Sequence, residues 1–600
     1  MAVSDRPSDS PSVSAEQADP PPDLPDTLDP APGEKPAEAY IREAVNKHGV
    51  ATRVFLPAAI LVGAFVLLAA IFPDGMQTAI SAANTTVVNS IGWYYVVLVF
   101  AFVVFALFMG LSRFGEIKLG RDDDKPEFGL IPWFAMLFAA GMGIGLVFWG
   151  VAEPLNHFAS PPPGVDGAPE ALAQSAMTTT FLHWGLHAWS IYIIVGLGVA
   201  YAVHRRGRPV SIRWALEPLL GDRVKGIWGD VIDVVAIVGT LFGVATSLGF
   251  GVAQISAGLD YLGVAEDTPG FQQILVVAIT LVATISVATG IGNGIKWLSN
   301  FNLLLAAGLL ITLLALGPTL FVAREVVQNV GAYLQNFLQL SFRTFPFRGN
   351  DGAEWLGAWT TYYWGWWISW SPFVGIFIAR ISRGRTIREF VFGVLLVPTL
   401  LTVVWFSVLG GSALYRELNG GGLVAEDGSV DTNLALFQLL DSYPGAAILS
   451  GLFVLLIIVF FVTSSDSGSY VVDMMASGGD PNPPLWSRVF WALLEGAICF
   501  VALLAGGAAA LSALQTMAIL VAAPFTIVMI LMILAILKAA HAHLAEIRRL
   551  ERRALVRELQ REVEEGLISS GVLEAHPRED LPDLPTMLPR QQRAAKPPKS

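Results

Sequence analysis

Little in this sequence suits a soluble enzyme. Only one of the 600 residues is a cysteine, Cys499, which excludes an intramolecular disulfide and argues against a thiolate metal site. Charged residues make up 14% of the chain and hydrophobic residues 54%, a balance typical of a polytopic membrane protein. The motifs G-x-S-x-G, H-E-x-x-H and the Walker loop are absent, which disfavours an enzyme or ATP-driven transport by this chain alone. A strongly basic face is also lacking, so nucleic acid is a poor partner.

Apolar stretches long enough to cross a bilayer, about 20 residues each, recur along the chain. They predict an all-α protein with twelve transmembrane helices, at roughly 54–72, 91–112, 129–152, 177–203, 230–258, 273–291, 300–323, 354–379, 389–412, 446–472, 487–506 and 510–537.

Lysine and arginine are unevenly distributed among the connecting loops. The loops after the second, fourth and eighth predicted spans are rich in both, whereas 73–90, 153–176, 259–272 and 507–509 contain neither. The loop at 324–353 departs from this alternation with three arginines. Because positive loops stay on the cytoplasmic side, the pattern predicts that both termini are cytoplasmic.

The two tails differ in character. Residues 1–39 are rich in Pro, Asp, Ser and Ala and cannot bury enough apolar surface to fold alone. Residues 538–566 are predicted to continue the last span as a charged helix, with Arg549, Arg553 and Arg557 at four-residue spacing. These arginines could meet anionic lipid, but nearby glutamates nearly balance their charge, so a solvated helix is the plainer interpretation.

Tryptophan and tyrosine are concentrated between residues 360 and 371. On a helix, Tyr363, Trp366, Trp367 and Trp370 share one face. Such a face can hold a quaternary ammonium, which donates no N–H hydrogen bond but is attracted to aromatic rings. The alternative is a membrane-interface belt, although a belt rarely runs as a continuous stripe through a span. The stripe therefore favours a cation-binding aromatic site.

Three glycines alternate in the third span, at Gly141, Gly143 and Gly145. They predict a broken helix, which membranes tolerate only where it is buried in protein or lines a cavity. Unwound carbonyls there could coordinate Na⁺. Close helix packing through small residues is the common alternative.

The tenth span carries hydroxyl groups and one carboxylate around Thr463, Ser464 and Asp466. Polar groups at membrane depth are costly and mark functional sites. Thr463 and Ser464 offer oxygen ligands for Na⁺, and Asp466 requires a buried partner or backbone donors. For Ser467 and Ser469, hydrogen bonding to their own helix is a sufficient explanation.

The fourth span combines two histidines with a second aromatic face. Trp189 and Tyr192 lie three residues apart, and His183 and His187 have a spacing that suits a metal. No acidic residue or cysteine stands near them in the sequence, so structural hydrogen bonding is the better interpretation. In the fifth span, Thr240 could add an oxygen ligand.

With these motifs assembled, the chain resembles the betaine–choline–carnitine transporter family, especially its Na⁺-coupled glycine betaine carriers. The resemblance covers roughly residues 50–540 and rests on G-M-G-I-G at 141–145, H-W-G at 183–185, W-W-I-S-W-S-P at 366–372, I-S-R-G-R at 381–385 and T-S-S-D-S-G at 463–468.

The resemblance implies a homotrimer in the bacterial cytoplasmic membrane and a LeuT-like fold of two five-helix inverted repeats after two extra helices. The implied organisation is an acidic, disordered tail at 1–50, two peripheral helices at 51–128, repeats at 129–323 and 354–537 joined by a periplasmic segment at 324–353, and a cytoplasmic helix and disordered tail at 538–600.

It also implies site residues by motif position. The trimethylammonium group would sit in a box of Trp184, Trp189 and Tyr192, closed by Trp367, while Trp366 and Trp370 would line the path. One Na⁺ would be held by carbonyls of Ala139, Met142 and Phe460 with the hydroxyls of Thr463 and Ser464, and a second would lie near Thr240 and Phe373.

The expected function is therefore Na⁺-coupled symport of glycine betaine for osmoprotection, regulated through the arginines of the C-terminal helix. Gly145 stands where carriers that also take choline tend to place Asp, which favours a zwitterionic substrate. Val244 offers no oxygen where the second Na⁺ would need a ligand, which leaves a two-sodium stoichiometry open. The alternatives are a choline, carnitine or other compatible-solute carrier with H⁺ coupling or exchange, and a membrane osmosensor.

Overall fold

The computed structural model describes residues 35–141, 143–289, 292–506 and 510–570. Within these ranges the chain forms helices and turns, and no β-strand occurs. The predicted disorder of the two tails falls mostly on residues 1–34 and 571–600, which lie outside the described residues. Within the described part of the predicted 1–50 tail, residues Ala37–Ala44 are helical and Tyr40 packs on Trp214, which corrects the expectation there.

The N-terminal part begins with a short helix and continues with two long apolar ones. These are α1 (Ala37–Ala44), α2 (Thr52–Ile71) and α3 (Pro73–Leu111). Helix α3 begins at Pro73, a favourable first residue because proline lacks the N–H that a helix start leaves unbonded. The predicted loop at 73–90 is therefore helical, which corrects the expectation.

The next part contains nine α-helices in the described residues. They are α4 (Leu130–Gly141), α5 (Ile144–Ala159), α6 (Pro169–Trp184), α7 (Leu186–Ala200), α8 (Ile212–Ala215), α9 (Glu217–Leu220), α10 (Ile227–Tyr261), α11 (Pro269–Thr289) and α12 (Gly292–Leu316). Only two residues separate α4 from α5, and only one separates α6 from α7.

The connecting segment predicted at 324–353 is largely helical. Helix α13 (Thr319–Ser341) carries buried Asn329 and Tyr333 on one side, and the short α14 (Gly349–Leu356) follows it. The segment therefore packs along the protein and does not hang free as a loop.

The C-terminal part contains the remaining helices. They are α15 (Tyr362–Arg380), α16 (Ile387–Phe406), α17 (Ser412–Asn419), α18 (Ala435–Leu440), α19 (Ala446–Ala476), α20 (Leu485–Gly506) and α21 (Ala510–Ser569). Single π-helical turns at Gly357–Thr361 and Ser407–Gly411 join α14 to α15 and α16 to α17.

Among the described residues, ten helical stretches are long and apolar enough to cross a membrane, and each overlaps one of the predicted spans. The two predicted spans not among them lie at 129–152, where the helix is broken after Gly141, and at 354–379, where tryptophan and tyrosine lower the hydropathy. The all-helical, multi-pass architecture is confirmed, while the count of twelve and the inverted repeats stay predictions.

The aromatic helix α15 lies at the centre of the bundle. It packs against α7, α10 and α21, and its Tyr363, Trp366 and Ile368 are completely buried. Helices α2, α11 and α12 instead expose many leucine and isoleucine side chains, as expected for surfaces that face lipid. The protein therefore places its most aromatic helix where solvent and lipid are both excluded.

Candidate functional site

The third predicted span is broken within the glycine run. Helix α4 ends at Gly141 and α5 begins at Ile144, with Gly143 between them in an extended conformation (φ −155°, ψ −178°). The unwound segment is shorter than expected, because Gly141 and Gly145 both lie in helices. Met142 lies outside the described residues.

The fourth predicted span has a second break, which the sequence analysis missed. Helix α6 ends at Trp184 and α7 begins at Leu186, with Gly185 at φ −96° and ψ −134°. A Cβ on Gly185 would lie 2.5 Å from the carbonyl oxygen of Phe181, so only glycine fits there without a shift. The break places Trp184 at a helix end, facing α15.

The tryptophans of α15 form a stacked row, as the helical spacing predicts. The ring centroids of Trp366 and Trp367 lie 4.4 Å apart, and those of Trp367 and Trp370 lie 6.1 Å apart. Trp370 continues the row onto Phe373 at 5.8 Å. The row is a continuous aromatic surface inside the bundle.

Helices α6 and α7 bring their aromatic residues against this row. Trp184 meets Trp367 edge-to-face at 4.8 Å, and Tyr192 meets Trp367 at 6.3 Å. Trp189 contacts Tyr192 at 5.4 Å. All six aromatic residues predicted for the substrate site thus lie in one cluster, and none is more than 8% exposed. Because these rings touch one another, a ligand between Trp184 and Trp367 would have to separate them.

Glu153 is a site residue that the sequence analysis missed. It lies in α5, is completely buried, and accepts a hydrogen bond from the Trp184 indole Nε1 at 2.6 Å. The Tyr363 hydroxyl donates to the same carboxylate oxygen, Oε2. The other oxygen, Oε1, lies 2.7 Å from His183 Nδ1 and 3.3 Å from His157 Nε2. A lone carboxylate within an apolar stretch was the signal that could have found it.

No acidic residue is close to the two histidines in the sequence, but folding brings Glu153 to His183 from 30 residues away. His187 lies elsewhere, with its Nε2 2.9 Å from the Ser341 hydroxyl. Glu153, His157 and His183 place one potential ligand atom each within 4.8 Å of one another and could in principle hold a metal. Hydrogen bonds already account for the arrangement, since the second nitrogen of His183 meets the Thr360 hydroxyl at 3.1 Å.

The residues predicted for the first Na⁺ that lie in the described part of the chain are carried by two helices, α4 and α19. Phe460, Thr463 and Ser464 are on α19, and Ala139 is in the last turn of α4. A Cβ on Gly251 of α10 would lie 3.1 Å from Ile144 and 3.4 Å from Phe461, so the start of α5 and this part of α19 converge there. The Thr463 hydroxyl donates to the Val459 carbonyl at 2.9 Å, which leaves its oxygen lone pairs able to coordinate a cation.

The two residues predicted for a second Na⁺ lie on packed helices, Thr240 on α10 and Phe373 on α15. The Thr240 hydroxyl donates to the Ala236 carbonyl at 2.8 Å, and a Cβ on the neighbouring Gly243 would lie 3.0 Å from the Trp370 backbone nitrogen. Val244 instead packs towards α19, where a Cβ on Gly468 would lie 3.1 Å from its Cγ2. At Val244 this surface is therefore hydrocarbon and supplies no ligand.

A second buried acid, Glu495 of α20, was also missed. It accepts hydrogen bonds from the hydroxyls of Ser465 at 3.2 Å and Ser469 at 3.1 Å. The expectation that Ser469 bonds to its own helix is therefore wrong. The hydroxyl of Ser286, which is only partly buried, donates to Asp466 Oδ2 at 3.5 Å.

Helix α21 continues unbroken from the membrane to Ser569, as predicted. Arg549, Arg553 and Arg557 are exposed on it. Nearer the membrane, Arg205 bonds Asp122 at 2.6 Å and lies 3.4 Å from His543 of α21. Burial alone would raise the pKa of Asp122, but the hydrogen bond and charge of Arg205 outweigh it and hold the pKa below its usual value.

Known proteins resemble this chain over most of its length. The profile of the betaine/carnitine/choline family transporters matches residues 53–545. An uncharacterized transporter of Mycobacterium tuberculosis is 53% identical over 500 residues, covering 83% of this chain and 84% of that protein. The glycine betaine transporter OpuD of Bacillus subtilis is 46% identical over 500 residues, covering 83% and 96%. A glycine betaine transporter of Acinetobacter baylyi is 42% identical over 489 residues, covering 81% and 73%.

Among solved structures, a Na⁺-coupled sialic acid symporter in a substrate-bound, outward-open state shares 13% sequence identity, with a TM-score of 0.39, covering 74% of this chain and 86% of that one. A similarity this low carries no argument about the repeat layout. The match to the family profile and the identities to its transporters show that this multi-pass membrane protein is a transporter and a member of the betaine/carnitine/choline transporter family.

Proposed function

We propose that this protein is a secondary transporter that couples the entry of glycine betaine to Na⁺ and serves osmoprotection. The observation that carries the proposal is the buried contact of Trp184 and Tyr192 with Trp367 beside the break at Gly143. A trimethylammonium group needs several aromatic faces and no hydrogen-bond acceptor, and each good cation–π contact is worth about 0.5–2 kcal/mol.

The lack of space around Gly145 supports glycine betaine over a substrate that would need an acidic side chain at this position. A Cβ on Gly145 would lie 2.5 Å from Trp366 and 3.1 Å from Trp184. A carboxylate could not enter here unless both rings moved, so the substrate is expected to carry its own negative charge. The Bacillus and Acinetobacter relatives are named glycine betaine transporters, which agrees with this choice.

The broken helix supports Na⁺ as the coupling ion. Backbone carbonyls at a helix break, together with hydroxyls from a facing helix, form the oxygen-rich coordination that hard monovalent cations prefer. Ala139 supplies the first kind of ligand, and Thr463 and Ser464 supply the second. In the proposal one Na⁺ binds here, and Thr240 and Phe373 contribute to a second, weaker site that lacks an oxygen at Val244.

The long C-terminal helix supports regulation by osmolality. Its exposed arginines project beyond the apolar part of α21, and anionic lipid attracts such residues by up to about 1 kcal/mol each. Deleting 545–600 is expected to abolish hyperosmotic activation while basal uptake is retained. Unchanged activation would exclude this role. A homotrimer in the bacterial cytoplasmic membrane, with both termini cytoplasmic and two inverted repeats, completes the proposal.

Uptake into proteoliposomes tests the function directly. Purified protein is reconstituted, and entry of radiolabelled glycine betaine is followed with an imposed Na⁺ gradient and then with a proton gradient, each at two external osmolalities. Uptake that requires Na⁺ and rises with osmolality supports the proposal. Uptake indifferent to Na⁺ points to proton coupling or exchange. If betaine does not enter, labelled choline and carnitine are tested next, and failure of all three favours a sensor.

A further inference from the structure

The Glu153 carboxylate stands directly behind the aromatic cluster. It joins three helices, because it accepts from Trp184 on α6 and from Tyr363 on α15 while it is carried by α5. The Trp367 indole is tied to the same place indirectly, since its Nε1 donates to the His183 carbonyl at 2.9 Å. One buried side chain thus bonds two rings of the aromatic cluster directly, and it also bonds His183, whose carbonyl accepts from a third ring.

The partners of Glu153 fit an ionised carboxylate. An indole N–H can only donate, and the Tyr363 hydroxyl and the nitrogens of His157 and His183 are also able to donate. A carboxylate that accepts from several donors is satisfied without a proton of its own, and charge-assisted hydrogen bonds of this kind are stronger than neutral ones.

In the described residues the charge of Glu153 is not paired with a lysine or arginine, although Arg343 is close enough to His157 and His183 to interact with both electrostatically. The ion-pair partners of Glu153 are these two histidines. A completely buried charge is costly unless an opposite charge approaches it. A cationic ligand between Trp184 and Trp367 would supply that charge from the other side of the Trp184 ring.

We propose that Glu153 is a positioning residue and the fixed counter-charge of the aromatic site, so that the site selects a cationic head group over a neutral group of the same shape. This inference rests on the proposed function. Two effects act together, because the carboxylate attracts the cation through the low-dielectric interior and, by accepting the indole N–H, makes the face of Trp184 more negative.

A matched pair of ligands isolates this effect. Glycine betaine and 3,3-dimethylbutanoate have the same shape and carboxylate, but the second carries a neutral tert-butyl group in place of trimethylammonium. Binding of both is measured by tryptophan fluorescence. The quantity of interest is the dissociation constant of 3,3-dimethylbutanoate divided by that of glycine betaine, which measures the preference for the cation. In Glu153→Gln, which keeps the volume and most acceptors but not the charge, this ratio is expected to fall by about tenfold or more, equal to about 1.4 kcal/mol.

The control is Glu325→Gln, which neutralises another largely buried glutamate, bonded to Asn329 outside the aromatic cluster. There the ratio is expected to stay as in the wild type. If Glu153→Gln weakens both ligands equally, or leaves the ratio unchanged, the counter-charge role is excluded. If the wild-type protein itself fails to bind glycine betaine, the proposed function fails instead, so the two failures are distinguishable.

A second pair of variants keeps the test decisive if Glu153→Gln does not fold. Trp184→Phe removes the N–H that reaches Glu153, whereas Trp189→Phe makes the same ring change at a position with no bond to that carboxylate. The same ratio of dissociation constants is expected to fall about threefold or more further in Trp184→Phe than in Trp189→Phe, a difference of about 0.65 kcal/mol. Equal falls in both would overturn the inference.

Discussion

The indole of Trp366 lies against the backbone of Gly145, so close that a Cβ on this glycine would lie 2.5 Å from Cη2 of the ring. Trp366 is completely buried and stacks on Trp367, so it has no free space to move into. The first turn of α5 and the aromatic row of α15 are therefore fitted to each other at a position where any side chain is excluded.

Gly145→Ala should consequently disturb substrate binding more than an ordinary glycine substitution. The added methyl group displaces Trp366 and Trp184, and small-to-large changes in packed sites typically cost about 1–3 kcal/mol. We expect the apparent KM for glycine betaine to rise by about fivefold or more. Gly308→Ala, where a Cβ would meet no atom within 4 Å, is the control. Equal KM values in the two variants would contradict this packing.

Trp189→Leu tests the aromatic site itself. Loss of one desolvated cation–π contact should raise the apparent KM for glycine betaine by about tenfold or more, equal to about 1.4 kcal/mol. Trp93→Leu replaces a tryptophan that is 57% exposed on α3, away from the cluster, and should leave KM unchanged. A normal KM in a well-folded Trp189→Leu protein would remove this residue from the site.

Thr463→Val and Ser464→Ala test the cation site on α19. Each removes one proposed oxygen ligand, so the Na⁺ concentration for half-maximal uptake should rise by about fivefold or more, given that losing a charge-assisted contact costs about 1.5–3 kcal/mol. Thr312→Val is the control, because that hydroxyl bonds its own helix at the Gly308 carbonyl on an exposed face. Unaltered Na⁺ dependence in both site variants would place the ion elsewhere.

Arg205→Ala tests how the C-terminal helix is attached. Arg205 joins the Gly120 carbonyl, Asp122 and His543, and its removal should loosen that region of α21. Because partly exposed ion pairs contribute about 0.2–1 kcal/mol, amide hydrogen exchange over residues 538–550 should be about two- to fivefold faster. Arg223→Ala, on the exposed turn Gly221–Lys225, is the control. Unchanged exchange would show that the helix is held by other contacts.

The sequence alone determined which class of protein this is and which residues are chemically suited to its work. Long apolar stretches are identifiable because each must match the bilayer thickness, and the stripe at Tyr363, Trp366, Trp367 and Trp370 is identifiable because a helix repeats every 3.6 residues. The alternating glycines predicted a break for the same local reason, since glycine weakens a helix wherever it stands. These features depend only on neighbours along the chain.

Only the tertiary structure decided which distant residues meet. Glu153 reaches Trp184 and Tyr363 across 31 and 210 positions, and Ser465 reaches Glu495 across 30. No local periodicity encodes such pairings, because they follow from how α5, α6 and α15, or α19 and α20, pack together. The length of the unwound segment was likewise decided by packing, since Gly145 remains helical against Trp366. The sequence thus specified the aromatic groups and the hydroxyls, and the packing of the helices determined which buried carboxylates they face.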